Sequence, residues 1–307
     1  MAHWPVKVAP EIAAALIEGG PVVVLETSIV AQGLPAPFNL EAAFGCEEAI
    51  RAEGGIPATV AVREGALQVG LTEAEIRALA EDPDVVKVST RDLGAAIALG
   101  RSGATTVAAT VRAAGLAGIR FMATGGIGGV HIGHPEDVSA DLYELAQSPV
   151  AVFCAGAKTV LDVGLTIERL ESYEVPVLGW QTENLPGFYL KRTRFPVSAT
   201  VNGPEQAARV LRAGWGTGLH GVVVAVPPPD ELPDAAELVA RAIQEVGEIT
   251  GPSVTPRLLA KIAELSGGRS LRINVDLVIN NARAAAQTAV AFSRLESQVS
   301  WPPPRTG

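Results

Sequence analysis

Lys158 closes the apolar run Val150–Lys158, VAVFCAGAK. The run reads as a buried strand ending in small residues, and the residues after it, Thr159–Tyr173, have helical spacing. An amine at such a strand-to-helix step is expected in low dielectric, beside the positive end of a helix dipole; both disfavour an ammonium. A neutral lysine is a nucleophile whose usual chemistry is a Schiff base with a carbonyl. Glu26 directly follows a second apolar run, Pro21–Leu25. A partly desolvated carboxylate there exchanges protons near neutral pH; a helix cap or salt-bridge partner is the commoner role for such a residue in isolation. Lys87 interrupts the apolar VVKVSTRD and suits either an ion pair with Asp92 or a point charge for a phosphate.

The segment Ala123–Asp141, ATGGIGGVHIGHPEDVSAD, is the most specific in the chain. Its glycines let backbone approach a ligand closely, but their spacing is not G-x-G-x-x-G, which excludes a dinucleotide loop. His131 follows as a candidate acid or anion contact. A helix expected over Asp137–Ala146 places Asp137 and Asp141 four apart on one face. Two such carboxylates repel unless a cation or a proton lies between them, and a hard ion such as Mn²⁺ or Mg²⁺ suits them. Alternatively, Asp137 caps the helix and Asp141 sits in its first turn. Ser102–Thr110, SGATTVAAT, either cradles an anion on backbone N–H groups before a helix or simply allows close packing. It lacks the Gly-Lys pair of a Walker A loop. Asn280 and Asn281 are open to polar packing or a sugar contact. His3, His134 and His220 show no metal-ligand spacing with one another.

The elements that must position these residues alternate. Strands are expected at Pro21–Leu25, Ile56–Val62, Leu67–Val69, Val85–Ser89, Ile119–Thr124, Val150–Ala155, Val175–Trp180 and Gly221–Val226. Helices are expected at Leu40–Glu53 (capped by Asn39), Thr72–Glu81 (capped by Thr72), after Thr105, and over 203–212, 234–248, 255–266 and 276–296. Continuous apolar strands between helices imply an α/β fold with a largely parallel sheet covered on both faces. Ligands gather at the carboxyl ends of such strands, where the polar and glycine-rich loops of this chain fall.

The 307 residues read as one domain, 1–307, with a tail at about 299–307. Hydrophobic content of 48% against 19% charged fits a compact fold. A net charge of −9 without a basic stripe argues against a nucleic-acid partner. The two cysteines, Cys46 and Cys154, lie in apolar runs and read as reduced core residues of a cytoplasmic protein. No long uncharged apolar stretch suggests a membrane span, and MAHWPVKV is too short and polar for a signal peptide.

Eight segments taken together resemble one family: Leu25–Pro37, Ile56–Val62, Lys87–Leu93, Gly103–Thr110, Ala117–Gly133, Asp137–Ala146, Val152–Asp162 and Leu277–Ala286. It is the indigoidine synthase A-like family of pseudouridine-5'-phosphate glycosidases, and ATGGIGGVH and CAGAK are its specific strings. The resemblance implies a three-layer α/β/α subunit with a largely parallel or mixed sheet, a homotrimer and a divalent metal, usually Mn²⁺. It implies cleavage of pseudouridine 5'-phosphate to uracil and ribose 5-phosphate. Carried over by position, Lys158 becomes the covalent nucleophile, Glu26 the proton donor and Asp137 the metal ligand. Lys87, Thr106, Val107, Asn281 and Ser139–Ala140–Asp141 become substrate contacts, with Asp141 a second acid/base candidate. His131 is an added candidate for phosphate or ribose. The family commonly has His at Gln32 and Arg at Thr90 and Ile132, so phosphate binding is expected to lean on Lys87 and His131. A different Schiff-base lyase or aldolase would use the same lysine and phosphate pocket, whereas a non-catalytic sugar-phosphate binder would tolerate Lys158→Ala without loss of ligand binding.

Overall fold

A computed structural model describes residues 6–247 and 254–297; His3, Glu248 at the end of one expected helix, and the expected tail lie outside them. In chain order the elements are β1 (Val6–Val8), α1 (Pro10–Ile17), β2 (Val22–Leu25), α2 (Phe38–Ala52), β3 (Ile56–Arg63), β4 (Ala66–Val69), α3 (Glu73–Glu81), β5 (Val86–Val88), α4 (Leu93–Ala98), β6 (Gly103–Thr105), α5 (Val107–Ala117), β7 (Phe121–Ala123) and β8 (Val130–His131). There follow β9 (His134–Val138), α6 (Ala140–Leu145), β10 (Ala151–Cys154), β11 (Leu161–Asp162), α7 (Val163–Ser172), β12 (Val177–Trp180), β13 (Ala199–Val201), α8 (Pro204–Gly216), β14 (Val222–Ala225), α9 (Ala235–Val246), α10 (Val254–Leu265) and α11 (Arg269–Ser297).

One mixed sheet runs in the order β1-β4-β3-β2-β7-β10-β14-β12-β13, with β6 on β3 and β5 on β6. Every pairing in it is parallel except β3 with β4 and β3 with β6. The central strands are buried on both faces, and alternate residues serve different cores. Val23, Leu25, Phe153 and Val224 meet α2, α8, α9, α10 and α11 on one face. Val22, Val24, Val152 and Val223 meet α1, α5, α6 and α7 on the other. The expected three layers follow from that two-residue alternation.

The parallel strands β2, β7 and β10 end at one edge. The long β3 runs past it, and β6 returns antiparallel along that extension, with Ala61 opposite Ala104. The carboxyl end of β6 therefore reaches the same edge from the opposite direction, bringing Thr105 and Thr106 to it.

Four local expectations differ. Asn39 is the second residue of α2 rather than its cap, and its amide donates to the Val30 carbonyl (3.0 Å). The helix expected from Thr159 starts at Val163, because Leu161–Asp162 first pairs antiparallel with Val130–His131. The helix expected from Asp137 starts at Ala140 with Ser139 as its cap; Asp137 lies in the exposed strand β9, so Asp137 and Asp141 do not share a helix face. Finally, α11 begins at Arg269, seven residues before the expected 276, which places Asn281 deep inside it. Thr72 caps α3 as expected, in a reciprocal capping box with Glu75. Both cysteines are buried and unpaired. Among the described residues, no helix is long and apolar enough to cross a membrane.

Candidate active site

Glu26 leaves the end of β2 beside Thr124, because β2 and β7 are neighbours with Leu25 opposite Ala123. Its side chain is 7% exposed. Oε1 accepts the Thr124 hydroxyl (2.5 Å), and Oε2 accepts that of Ser28. A buried carboxylate with one hydroxyl donor on each oxygen is oriented, and it holds no ion pair among the described residues.

Lys158 is presented by a loop zipped to the glycine segment. Ala155 N–H donates to the Gly125 carbonyl (2.9 Å), Ile127 N–H to Gly156 (3.1 Å) and Lys158 N–H to Ile127 (3.0 Å). The turn needs Gly156: its φ is +88°, and a Cβ there would overlap the Pro186 carbonyl. Lys158 is half-buried and, among the described residues, forms no ion pair. It does not stand at a helix N-terminus, since β11 intervenes and Asp162 caps α7 by accepting Leu165 N–H (3.0 Å). Its neighbour in charge is Lys87, in the middle of β5. Lys87 counts as exposed over the whole residue, yet its amine titrates below the usual lysine range. Desolvation is the first cause and the positive charge of Lys158 the second, with Glu26 and Asp141 acting the other way.

Two clefts meet at Ser28, Lys87, Lys158 and Thr255. The inner one, about 520 Å³, is walled by Ile29, Phe188, Pro256 and Leu259, with Glu26, Thr124, Gln32 and Asn274 as polar groups. The outer one, about 1250 Å³, is polar and is bounded by Arg91, Thr106, Val107, His131, Asp137 and Ser139–Asp141. The polar and glycine-rich loops at the carboxyl ends of the strands converge here, and every candidate residue except Asn280 and Asn281 lines one of the two clefts. Asn281 is fully buried behind the glycine loop, where its amide donates to the carbonyls of Thr124 (2.8 Å) and Gly125 (3.3 Å). It holds the loop and does not line either cleft.

Asp141 also has a different place from the one expected. It is 5% exposed, with Oδ1 accepting Ala108 N–H (2.8 Å) and Oδ2 accepting Gly128 N–H (2.7 Å). The anion on the α5 N-terminus is thus the chain's own carboxylate, which ties that helix to the glycine loop. A Cβ at Gly128 would lie 2.9 Å from Asp141 Oδ2, so this glycine is required for the tie rather than for a ligand. Each Asp141 oxygen thus accepts one backbone N–H, while Asp137 lies apart on strand β9.

Asp137 is half-exposed, with Oδ2 3.3 Å from His131 Nδ1; the same ring nitrogen lies 3.1 Å from the Asp137 carbonyl. No group of three His, Cys, Asp or Glu side chains forms a metal cage among the described residues. One solvent-facing carboxylate on a polar cleft does fit a hard ion that keeps most of its waters.

Three lining residues carry no signal in the sequence. Arg91 adds a cation to the outer cleft, and Thr255 from α10 borders both. Asn274, on α11, is 6% exposed, and its Oδ1 is buried without a hydrogen-bond partner among the described residues. An orphaned buried amide on a cleft wall costs about 1–3 kcal/mol unless a ligand satisfies it.

Comparison with known proteins identifies the family of the chain. A family model described as "Indigoidine synthase A like protein" matches residues 11–291. A protein of Alkaliphilus metalliredigens (strain QYMF) named pseudouridine-5'-phosphate glycosidase is 48% identical, over 94% of this chain and 96% of its own length. One of the same name from Escherichia coli (strain K12) is 46% identical, over 94% and 96%. Among solved structures, a prealnumycin C-glycosynthase in complex with ribulose 5-phosphate superposes with a TM-score of 0.86 at 36% identity, covering 96% of this chain and 99% of that one. An indigoidine synthase A-like protein from Thermotoga maritima MSB8 gives 0.87 at 31%, covering 96% and 98%. With one family model spanning most of the sequence and relatives this similar along nearly their whole length, the chain belongs to the indigoidine synthase A-like protein family.

Proposed function

We propose that this chain is a pseudouridine-5'-phosphate glycosidase. It reversibly cleaves the C-glycosidic bond of pseudouridine 5'-phosphate to uracil and ribose 5-phosphate through a covalent lysine–pentose intermediate. The names of relatives 46–48% identical support the substrate, and the sugar phosphate bound by the C-glycosynthase supports a pentose phosphate in the cleft. The observation that carries the mechanism is Lys158, free of any carboxylate partner among the described residues, facing the same inner cleft as buried, hydroxyl-oriented Glu26. The cytoplasmic setting and homotrimeric state belong to the same proposal, supported by two buried unpaired cysteines and by the family resemblance respectively.

A C-glycoside has no leaving heteroatom to protonate, so a scheme of two carboxylates cannot release the base. A lysine solves this once the ribose ring opens. The Lys158 amine bonds to C1' as the C1'–O4' bond breaks, O4' keeping that electron pair and taking a proton from the amine, and Glu26 gives its proton to the base carbon attached there. The electron pair of the breaking carbon–carbon bond returns to the base ring while the amine lone pair forms C=N to C1'. Water then adds to that carbon and sheds one proton to solvent, and collapse to the aldehyde frees ribose 5-phosphate and the amine. A divalent ion held by Asp137 would supply positive charge at the outer cleft, toward the phosphate.

The outer cleft suits the phosphate, with Lys87 and Arg91 around it. Lys87→Ala is expected to raise KM by about tenfold or more with a smaller change in kcat, as loss of one charged contact implies. A KM near that of the unsubstituted chain would show that Lys87 does not hold the phosphate. The inner cleft suits the base. The Asn274 amide matches a uracil imide edge, accepting its N–H and donating to a neighbouring carbonyl. N3-methylation of the substrate is expected to cost about tenfold in kcat/KM with the unsubstituted chain and nothing further with Asn274→Ala. Equal penalties in both would remove Asn274 from base recognition.

The reaction itself is tested by product analysis with borohydride trapping. Uracil is read by absorbance, and a reduced ribose 5-phosphate adduct is sought by mass analysis on the peptide containing Lys158. Release of a triose, or binding without uracil or adduct, would reject the proposal.

A further inference from the structure

Glu26 faces two spaces. On one side is the inner substrate cleft; on the other is a separate small cavity, roomy enough for about one water, between the sheet edge, α2 and α11. That second cavity is mostly apolar, lined by residues such as Ala42, Cys46 and Val278, but three polar side chains converge on it: Glu26, Thr124 and Thr59. Thr59 lies beside Leu25 in the register of β2 and β3, one residue from Glu26 along the chain. Its hydroxyl already donates onward to Glu47 Oε1 (2.6 Å). Glu47 sits on α2 and is half-buried, at the boundary between this interior and solvent. The groups facing it are Arg51 on its own helix, Glu11 from α1, Glu73 from α3 and the neighbouring Cys46.

We propose that Thr59 and Glu47 form a proton-return relay that recharges Glu26 from the back while the substrate cleft is occupied. This rests on the reading of Glu26 as the proton donor. After Glu26 has given its proton to the base carbon, uracil and the pentose adduct together fill the cleft, and the carboxylate is screened from bulk water on that side until uracil leaves. A water hydrogen-bonded between Glu26 and Thr59 gives one proton to Glu26 and takes the hydroxyl proton of Thr59. Thr59 takes one from the Glu47 carboxyl, and Glu47 is reprotonated by solvent. One proton moves inward, no other bond changes, and the proton that iminium hydrolysis later releases leaves to solvent with ribose 5-phosphate. A cavity with polar groups at both ends is the kind that holds such a water. The burial of Glu47, its leading perturbation, raises its pKa above the ordinary carboxylate value, which favours a proton on it nearer neutrality. In synthesis the same path runs outward.

Glu47 and Thr59 touch no substrate, so their roles separate from those of Lys158 and Glu26 by kinetics. The test compares Thr59→Val and Glu47→Gln with Thr59→Ser, which keeps the hydroxyl. Rapid quench after mixing with pseudouridine 5'-phosphate reads the first turnover, when Glu26 is already charged. Uracil release in that turnover is expected to stay within about twofold of the unsubstituted chain, while steady-state turnover falls by at least about tenfold in Thr59→Val and Glu47→Gln and recovers in Thr59→Ser. Steady-state rates that do not change, or first-turnover and steady-state rates that fall together as a packing defect would make them, overturn the relay. Absence of uracil from the unsubstituted chain overturns the reaction beneath it and is recognised separately, in the same experiment.

Discussion

Lys158→Ala is expected to lower the rate of uracil release by at least about 10⁴-fold and to abolish the borohydride-trapped adduct, because the side chain that forms the covalent bond is gone. Lys158→Arg is expected to fail equally. Its charge persists, but a guanidinium cannot deprotonate and does not form an imine. The two variants together separate nucleophilicity from positive charge. If Lys158 served mainly to attract the phosphate, the arginine would rescue most of the rate. An arginine variant within about tenfold of the unsubstituted chain would contradict the covalent route. Gly156 and the hydrogen bonds that zip 155–158 to the glycine loop are untouched by either change, so loss of activity would not reflect loss of the loop.

Glu26→Gln is expected to cost about 10²–10⁴ in uracil release, the usual range for losing a positioned acid. The amide keeps the size of the carboxyl and can still accept the Thr124 hydroxyl, so orientation is largely retained. What it lacks is a transferable proton. The informative part is the split. Ribose 5-phosphate offered alone already carries a carbonyl in its open form, so its adduct on Lys158 needs no protonation of a base carbon. Trapping of that adduct is therefore expected to survive in Glu26→Gln while cleavage of the C-glycoside does not. Equal loss of both would place Glu26 in adduct formation, and near-normal cleavage would assign the acid elsewhere.

The two groups at the centre of this chemistry are legible in the chain because each directly follows a continuous apolar run. Such runs are strands, and strands of this kind end at ligand sites. Lys87 is legible differently, as a charge that interrupts a short apolar run. Legibility fails where partners are far apart in sequence or the local pattern is ambiguous. Asp141 is a candidate acid from the sequence, yet its ligands are the N–H groups of Ala108 and Gly128, which only the fold brings to it. Leu161–Asp162 is too short a strand to distinguish from the first turn of a helix. His134–Val138 is an exposed, polar strand without apolar alternation, so the helical spacing beyond it extends backward across Asp137. Asn274 is one amide within a long amphipathic helix, and nothing local distinguishes it from an ordinary polar residue. Asn281 shows the reverse: it lies within a matching family string, but its side chain is spent on the carbonyls of the glycine loop.

The order in which the chain lines its clefts has an evolutionary consequence. The outer, phosphate-facing wall comes largely from residues 87–158, whereas Phe188, Pro256, Leu259 and Asn274 of the inner wall all come after Lys158. Mutations in the C-terminal third can therefore retune which aglycone is accepted while the pentose chemistry is inherited intact.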